Sequence, residues 1–268
     1  MLNVSIVLYQ PNWKQVADLT RIFLQSDQVN NVYWIDNSPK EETDPPIESS
    51  KIIYRYNACN IGYGAAHNIA IRESIYDNIP FHLVINPDII LTTEALDMML
   101  AFIAQNPQVG SLMPKVIYPN GQLQYLCKLL PTPMDVLGRR FLPRKWIERR
   151  NYTYEMRASG YNKLMNIPYL SGCFMLLRTE AVRQARLFDD RFFMYPEDMD
   201  LTRRIHRNYL TVYFPHATII HDHARDSYKS LKMLWIHIVN MCKYFNKWGW
   251  FRDKERTLFN QTAIREYL

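Results

Sequence analysis

The tripeptide Asn86-Pro87-Asp88 has the residue types of a divalent-metal site. It follows the apolar run His82-Leu-Val-Ile, which is typical of a buried strand, and it precedes a second apolar run at residues 89–91. A carboxylate at the end of a strand can bind Mg²⁺ or Mn²⁺ together with the phosphate oxygens of a nucleotide. The same tripeptide is also typical of a turn that binds nothing. The motif by itself leaves both interpretations open.

A second group of carboxylates follows Pro196 at a predicted helix start and comprises Glu197, Asp198 and Asp200. Proline suits the first helical turn, and the positive end of the helix dipole stabilises ionised acids there. A carboxylate that is ionised near neutral pH can take a proton from a hydroxyl group as a general base. The alternative is that these acids only stabilise the start of the helix.

Two further segments could approach a ligand. Residues 60–68, Asn-Ile-Gly-Tyr-Gly-Ala-Ala-His-Asn, form a glycine-containing turn that opens a helix and so permits close contact with the backbone. The turn matches neither the dinucleotide fingerprint nor a P-loop, and a plain strand-to-helix connection explains it equally well. In the second segment, residues 221–227, two histidines could bind a metal and Arg225 could neutralise a diphosphate. A surface loop that happens to carry two histidines is the alternative there.

The elements that must position these residues follow from apolar patterns in the first half of the chain. We predict strands at residues 4–9, 32–35, 52–56 and 82–85, and helices near residues 13–25 and 65–76. Strands that alternate with helices indicate an α/β fold with a mostly parallel sheet flanked by helices. Ligands of such sheets bind beyond the carboxyl ends of the strands. The polar and small residues after each strand are therefore expected at one edge of the sheet.

The second half of the chain contains a basic segment and an amphipathic tail. Residues 125–166 combine prolines with arginines and aromatic residues, and we predict a mobile basic loop there. Regular structure is expected to resume at residues 167–177, with a helix that begins near Pro196. Within residues 227–248 a helical pattern places five apolar residues on one stripe: Leu231, Trp235, Ile238, Cys242 and Phe245. This tail could lie on a membrane surface, or pack on its own domain or a second subunit.

Composition and charge limit the class of protein. The chain has 268 residues, of which 48% are hydrophobic and 22% charged, and this fits one large domain with an appendage and excludes a disordered or fibrous protein. Its net charge of +6 favours a negatively charged partner such as a nucleotide, a lipid head group or a nucleic acid. The four cysteines lack metal or disulfide spacing, which suits a reducing cytoplasm. We expect no signal peptide and no membrane-spanning segment.

The order and spacing of the motifs resemble the family 2 glycosyltransferases with the GT-A fold, and in particular their rhamnosyltransferase-like branch. The resemblance extends from Val4 to about Ser227. It rests on matched segments at residues 4–9, 35–38 (Ile-Asp-Asn-Ser), 57–68, 86–88, 171–176 (Ser-Gly-Cys-Phe-Met-Leu), 188–201 and 221–227. It implies a Rossmann-like GT-A domain over residues 1–226, with an acceptor-side loop at about 125–166, and a C-terminal helical extension over residues 227–268.

On the acceptor side, the resemblance makes Asp198 the catalytic base. Asp198 would deprotonate the acceptor hydroxyl as it attacks the anomeric carbon opposite the departing nucleoside diphosphate, so that the configuration inverts. Glu197 would orient the acceptor sugar, and Gly172 would let that sugar approach closely. Such a single displacement needs no nucleophile from the enzyme.

On the donor side, the resemblance implies that Asp88 binds a divalent cation, Mg²⁺ or Mn²⁺. Asn86 stands where the family usually has its first acid, which puts metal affinity and selectivity in doubt. His221 is the candidate for an additional metal or diphosphate contact, and His223 is its rival. Eight residues are expected to bind the nucleotide-sugar: Asp36 through the base, and Asn60, Gly62, Tyr63, Gly64, Asn68, Asn86 and Asp88.

The implied reaction transfers a sugar to a glycan or to a polyprenyl-diphosphate-linked acceptor. The favoured donor is dTDP-rhamnose, which would supply rhamnose, and a UDP-sugar is the alternative donor. The reaction would serve cell-surface polysaccharide synthesis, such as O-antigen or capsule, in the cytoplasm and at the inner face of the plasma membrane. A metal-dependent nucleotidyltransferase is an alternative enzyme, but it would need a second acid where Asn86 stands. A basic nucleic-acid-binding module is the non-enzyme alternative. The phosphates of a bound nucleic acid would be repelled by four carboxylates, those of Asp36, Asp88, Glu197 and Asp198.

Overall fold

The computed structural model describes residues 1–41, 45–137, 143–222 and 231–268. Its strands are β1 (Leu2–Leu8), β2 (Val29–Asp36), β3 (Ile52–Tyr56), β4 (Phe81–Ile85), β5 (Ile89–Ile90), β6 (Val109–Ile117), β7 (Cys127–Lys128), β8 (Met165–Asn166), β9 (Tyr169–Leu170), β10 (Phe174–Arg178) and β11 (Leu210–His221). Its helices are α1 (Trp13–Gln25), α2 (Tyr63–Tyr76), α3 (Thr93–Gln105), α4 (Pro133–Leu137), α5 (Arg144–Tyr154), α6 (Thr179–Gln184), α7 (Glu197–Ile205), α8 (Leu231–Trp248) and α9 (Lys254–Tyr267). The predicted strands and helices of the first half are confirmed.

Nine of the described strands form a central sheet in the order β3-β2-β1-β4-β10-β6-β11-β5, with β8 paired to β11, while β7 and β9 form a separate two-stranded sheet. Strands β1 to β4 are mutually parallel, as are β6 and β11. Strand β10 runs antiparallel to both of its neighbours, β4 and β6, so β6 and β11 point in the same direction as β1 to β4. The prediction of an α/β fold with a mostly parallel sheet is confirmed.

Both faces of the sheet are covered by helices, which explains why its central strands are continuous apolar runs. Helices α1 and α3 pack on one face, where Phe23 and Met99 contact the cluster that contains Ile6. Helices α2, α6 and α7 cover the other face, where Ile71 and Leu201 pack together. Helices α2 and α7 therefore have fixed positions on the same side of the sheet.

A buried polar chain joins α2 to the strands β1 and β4. Ser5 Oγ lies 2.7 Å from His67 Nδ1 and 2.8 Å from His82 Nε2, and Ser74 Oγ lies 2.7 Å from His82 Nδ1. Burial lowers the pKa of both imidazoles, that of His82 to about 3, so both are neutral at pH 7. These hydrogen bonds fix the helix whose first turn carries Tyr63.

The basic segment at residues 125–166 was predicted to be a mobile loop, and that prediction is wrong for its described part. The segment contains β7, α4, α5 and β8. Pro133 is the first residue of α4 and Pro143 precedes the first residue of α5. Proline is favoured at helix starts because its fixed φ is already helical. Two of the three prolines that we interpreted as loop signals are therefore helix-start signals.

The C-terminal helices pack on the α/β domain. Tyr244 and Phe245 of α8 are buried in a cluster with Phe192 and Met199. Of the predicted apolar stripe, Phe245 is buried, whereas Trp235 is 66% exposed. Among the described residues, no helix combines the length and apolar character needed to cross a membrane. The predicted domain boundary between residues 226 and 227 lies outside the described residues and stays a prediction.

Candidate active site

Most of the predicted site residues lie close together at the carboxyl ends of the parallel strands. Asn86 and Asp88 follow β4, and His221 is the last residue of β11. Glu197 and Asp198 form the first turn of α7, beside the residue Gly172 that precedes β10. The structure therefore joins the donor-side and acceptor-side motifs that the sequence analysis predicted.

Asp198 is a carboxylate held by backbone donors. The N–H of Gly172 donates to its Oδ2 at 2.7 Å, and the N–H of Met199 donates to its Oδ1 at 2.7 Å. Its exposed fraction is 7%. Burial raises the pKa of Asp198 to about 6, although both backbone hydrogen bonds and nearby Lys128 lower it. Asp198 is consequently ionised at neutral pH and poised to accept a proton.

The neighbouring carboxyl of Glu197 lies in surroundings that are less favourable for a negative charge. Burial and the charge of Asp198 raise the pKa of Glu197 well above its usual range. Its Oε2 atom is buried and makes no hydrogen bond within the described residues. Hydrogen bonds to a carboxylate stabilise its ionised form, and Asp198 accepts two from the backbone whereas Glu197 Oε2 accepts none from the described residues. This difference in hydrogen bonding supports Asp198, rather than Glu197, as the base.

Gly172 has a structural role in addition to the predicted one. That this glycine lets the acceptor sugar approach closely stays a prediction, while the structure shows that the space beside its Cα is taken by Asp198. A Cβ atom at position 172 would lie 2.8 Å from the Cβ of Asp198 and 3.1 Å from its Oδ2. The lack of a side chain at Gly172 is therefore what allows Asp198 to reach the backbone N–H.

We expect Gly172→Ala to reduce the turnover number by about ten- to a hundredfold, since a shift of about 1 Å in a reacting group can have an effect of this size. The measurement is kcat for sugar transfer, with donor binding as the internal reference. Gly121→Ala is the control, because a Cβ there meets no atom within 4 Å and adds only the strain of a positive φ. Equal turnover in both variants would contradict the contact between Gly172 and Asp198.

Tyr63 connects the donor-side motif to the backbone that holds Asp198. Its hydroxyl donates to the carbonyl oxygen of Gly172 at 2.8 Å and lies 2.9 Å from the Oδ1 atom of Asn86. Burial, together with the nearby acidic side chains, raises the pKa of Tyr63 well above its usual range, so the phenol keeps its proton. The sequence analysis assigned Tyr63 only to nucleotide binding, and its link to Gly172 was missed because the two residues lie far apart in sequence.

Asp88 and His221 form a pair that suits a divalent cation. Their Oδ1 and Nε2 atoms lie 3.4 Å apart, and the Oδ1 of Asp88 is a buried oxygen that makes no hydrogen bond in the described part of the chain. His221 Nδ1 lies 3.0 Å from Gln124 Oε1, which fixes the orientation of the ring. Burial by itself lowers the pKa of His221, but the side chains of Asp88 and Cys173 outweigh it and raise that pKa to about 10. A cation bound beside Asp88 would take the place of the imidazole proton, because a histidine that binds a metal is unprotonated.

The donor set fits Mg²⁺ or Mn²⁺ only if phosphate oxygens complete the coordination. Within residues 1–41, 45–137, 143–222 and 231–268, no three His, Cys, Asp or Glu side chains are placed to hold a metal by themselves. A nucleotide-bound Mg²⁺ is commonly held by one or two protein carboxylates together with phosphate oxygens, and Asp88 supplies such a carboxylate. His223, the rival to His221, lies outside the described residues.

Asp36 and Asn60 shape the loops at the predicted base-binding end. Asp36 Oδ1 accepts from the N–H of Ser38 at 2.8 Å, and its Oδ2 accepts from the hydroxyl of Tyr54 at 2.7 Å. Asn60 Oδ1 accepts from the N–H of Gly62 at 3.0 Å. Contact of Asp36 and Asn60 with a nucleotide base stays a prediction.

Three residues assigned to the nucleotide hold the segment that leads into α7. Asn68 Nδ2 donates to the carbonyl oxygen of Phe188 at 2.9 Å, and its Oδ1 accepts from the N–H of Phe188 at 3.0 Å. Gly62 has φ +95°, and a Cβ there would lie 2.6 Å from the carbonyl oxygen of Phe193. A Cβ at Gly64 would lie 2.9 Å from the side chain of Phe188. These contacts fix the segment that leads into α7, and the predicted contact of these three residues with the nucleotide stays a prediction.

Comparison with known sequences gives one family and named relatives. The model described as "Glycosyl transferase family 2" matches residues 12–185. The chain is 27% identical over 296 residues to the N-acetylglucosaminyl-diphospho-decaprenol L-rhamnosyltransferase of Mycobacterium tuberculosis, covering 100% of this chain and 92% of the relative. It is 23% identical over 213 residues to the low-salt glycan biosynthesis hexosyltransferase Agl10 of Haloferax volcanii, with 78% of this chain and 64% of that protein covered.

Solved structures of glycosyltransferases share the fold. GalNAc-T7 with UDP, GalNAc and Mn²⁺ superimposes with a TM-score of 0.60 at 12% identity, over 82% of this chain and 43% of that one. The mannosyltransferase PcManGT of Pyrobaculum calidifontis, in complex with GDP-Man and Mn²⁺, gives a TM-score of 0.56 at 12% identity, over 92% and 63% of the two chains. The chain thus spans less than two thirds of either structure, and the likeness shows the GT-A fold.

Proposed function

Because the chain belongs to glycosyl transferase family 2, we propose that it transfers rhamnose from dTDP-rhamnose to a hydroxyl group of a lipid-linked glycan, with inversion at the anomeric carbon. The name of the mycobacterial relative, which this chain matches over its whole length, supports both the sugar and the kind of acceptor. The product would serve cell-surface polysaccharide synthesis, and the reaction would take place at the cytoplasmic face of the plasma membrane.

The observation that carries this proposal is the position of Asp198. Its carboxylate accepts from two backbone N–H groups, and the Tyr63 hydroxyl connects one of these donors, Gly172, to the Asn86 side chain. These hydrogen bonds fix the proton acceptor in position relative to the candidate diphosphate site. A single displacement requires this arrangement, since the acceptor and the leaving group must be in line with the anomeric carbon.

In the proposed step, Asp198 takes the proton of the acceptor hydroxyl as the hydroxyl oxygen attacks the anomeric carbon. The bond between that carbon and the diphosphate oxygen breaks, and the electron pair leaves with the nucleoside diphosphate. Attack and departure on opposite faces invert the configuration. Glu197, whose pKa is raised by burial and by the charge of Asp198, would orient the acceptor sugar through a hydrogen bond.

On the leaving-group side, Asp88 and His221 would hold the cation between them and the diphosphate. A bound Mg²⁺ or Mn²⁺ supplies Lewis-acid stabilisation of the charge that develops on the diphosphate. The Mn²⁺ present in GalNAc-T7 and in the mannosyltransferase supports this assignment. Asn86, next to the cation site, would bind the donor ribose through its amide.

The acceptor would approach along the basic segment that contains α5. Lys145 and Arg149 of this helix are exposed, as is Trp146. Cationic side chains beside an exposed aromatic residue suit the diphosphate and the interfacial part of a polyprenyl-linked acceptor. The net charge of +6 favours the same kind of partner.

A donor panel tests the proposal. The melting temperature of the protein is measured with dTDP, UDP, GDP and their sugar conjugates, each with and without Mn²⁺, because a ligand that binds the folded state stabilises it. We expect the largest Mn²⁺-dependent rise with dTDP-rhamnose, followed by transfer to N-acetylglucosaminyl-diphospho-decaprenol with release of dTDP. A larger rise with a UDP-sugar would overturn the donor assignment, and release of pyrophosphate would indicate a nucleotidyltransferase.

A further inference from the structure

Helix α7, whose first turn carries Glu197 and Asp198, is joined to the C-terminal helices by buried ion pairs. Arg203 of α7 is 1% exposed and binds Asp253 with two hydrogen bonds of 2.7 Å. Its Nε donates to Glu255 at 2.7 Å, and its guanidinium lies 4.0 Å from the centroid of the Trp248 ring. Asp253 in turn caps the N-terminus of α9. The middle of α7 is thus fixed to the tail.

Asp200 makes a second connection two residues beyond Asp198. Its carboxylate is 0% exposed. The Oδ1 atom accepts from the indole N–H of Trp248 at 2.7 Å and from Lys247 Nζ at 2.6 Å, and the Oδ2 atom accepts from Arg204 Nε at 2.8 Å. A buried carboxylate with all these donors resists displacement, because any movement leaves charged groups unpaired in the interior.

Lys247 extends this connection to the segment before α7. Its Nζ also donates to Asp189 Oδ2 at 2.7 Å. Asp189 follows Phe188, the residue that Asn68 holds from the opposite side. One α8 lysine therefore ties together the helix that carries Asp198 and the chain segment that leads into it.

We infer that Asp200 and Trp248 are positioning residues: the C-terminal helices, through the contact between these two side chains, hold α7 so that the Asp198 carboxylate meets the Gly172 N–H. This inference rests on the proposed role of Asp198 as the base. It assigns the tail a function in catalysis, in addition to its packing. Its physical basis is that a rigid helix transmits a shift at Asp200 to the turn that carries Asp198.

The test replaces Trp248 with phenylalanine, which removes the indole N–H and keeps an aromatic ring beside Arg203. Trp250→Phe is the matched control, because the indole of Trp250 donates to Asn246 at 2.8 Å instead of to α7. With dTDP-rhamnose and N-acetylglucosaminyl-diphospho-decaprenol as substrates, we expect kcat of Trp248→Phe to fall about tenfold while the Kd for the donor changes less than about twofold. Trp250→Phe should match the wild type.

The pH profile separates positioning from a merely structural role. A weaker Gly172 hydrogen bond stabilises the ionised Asp198 less, so the acid limb of kcat should move to higher pH in Trp248→Phe. The other groups that influence the pKa values around Asp198 are unchanged in this variant: Glu197, Lys128, Tyr63 and Tyr169. A lower melting temperature with an unchanged acid limb and unchanged kcat would overturn the inference.

Asp200→Asn provides a second, stronger variant, and it should show the same shift of the acid limb with a larger loss of kcat. If Asp198→Asn is inactive and both Trp248→Phe and Asp200→Asn behave like Trp250→Phe, the positioning role is wrong and the proposed function stands. If Asp198→Asn keeps full activity, the proposed base is wrong and the positioning role falls with it.

Discussion

Replacing Asp198 with asparagine should lower kcat for sugar transfer by about 10²- to 10⁴-fold, the range that a positioned general base contributes. Asparagine has nearly the same shape but cannot accept the proton of the acceptor hydroxyl. The donor site is formed by other residues, so the Kd for the nucleotide-sugar should stay close to the wild-type value. The measurement pairs steady-state transfer with donor binding by calorimetry.

The pH dependence of the wild-type enzyme should agree with this result. The base must be ionised to work, and burial raises the pKa of Asp198 to about 6. The rate should therefore be constant above this pH and fall about tenfold for each pH unit below it. Asp198→Asn should lose this acid limb along with its activity.

Glu197→Gln tests which of the two adjacent carboxyls is the base. Burial and the charge of Asp198 raise the pKa of Glu197 well above its usual range, so an uncharged amide should be tolerated there, and we expect a smaller loss of kcat with the acid limb retained. If Glu197→Gln is the inactive variant and Asp198→Asn retains its rate, the assignment of the base is wrong.

Replacing Asp88 with asparagine should remove most of the effect of Mn²⁺ on nucleotide binding. The buried Oδ1 of Asp88 faces His221 and supplies the anionic oxygen that a cation would bind. If the affinity falls a hundredfold, a donor concentration that stabilises the wild type by about 2.7 kcal/mol would stabilise the variant by only about 0.4 kcal/mol. The measurement is the melting temperature with donor, with and without Mn²⁺.

Asp222→Asn is the charge-matched control for this experiment. Asp222 is exposed, and its hydrogen bond with Asp88 joins backbone to backbone, since the Asp222 N–H donates to the carbonyl oxygen of Asp88. Its replacement removes the same charge near the site and should leave the Mn²⁺ response intact. A full Mn²⁺ response in Asp88→Asn would show that the cation binds elsewhere.

Local patterns in the sequence are sufficient for the sheet and for the position of the motifs along it. Apolar runs of strand length followed by polar residues predict the carboxyl ends of β2 and β4, and hence the location of Asp36 and Asp88. The acids after Pro196 predict the start of α7. These features depend on hydrophobic periodicity and on helix-start chemistry, which act over a few neighbouring residues.

Contacts between residues distant in sequence could not be read from such patterns. Gly172 matched the family motif, but only the folded chain shows that Asp198 fills the space beside it. Two hydrogen bonds likewise join separate elements: the one from Tyr63 to Gly172 and the one from the Trp248 indole to Asp200. The amino-acid order specifies which groups are present and which strand or helix carries each. Their distances, burial and pKa values depend on how those elements pack, because each is set by neighbours that the chain brings together only on folding.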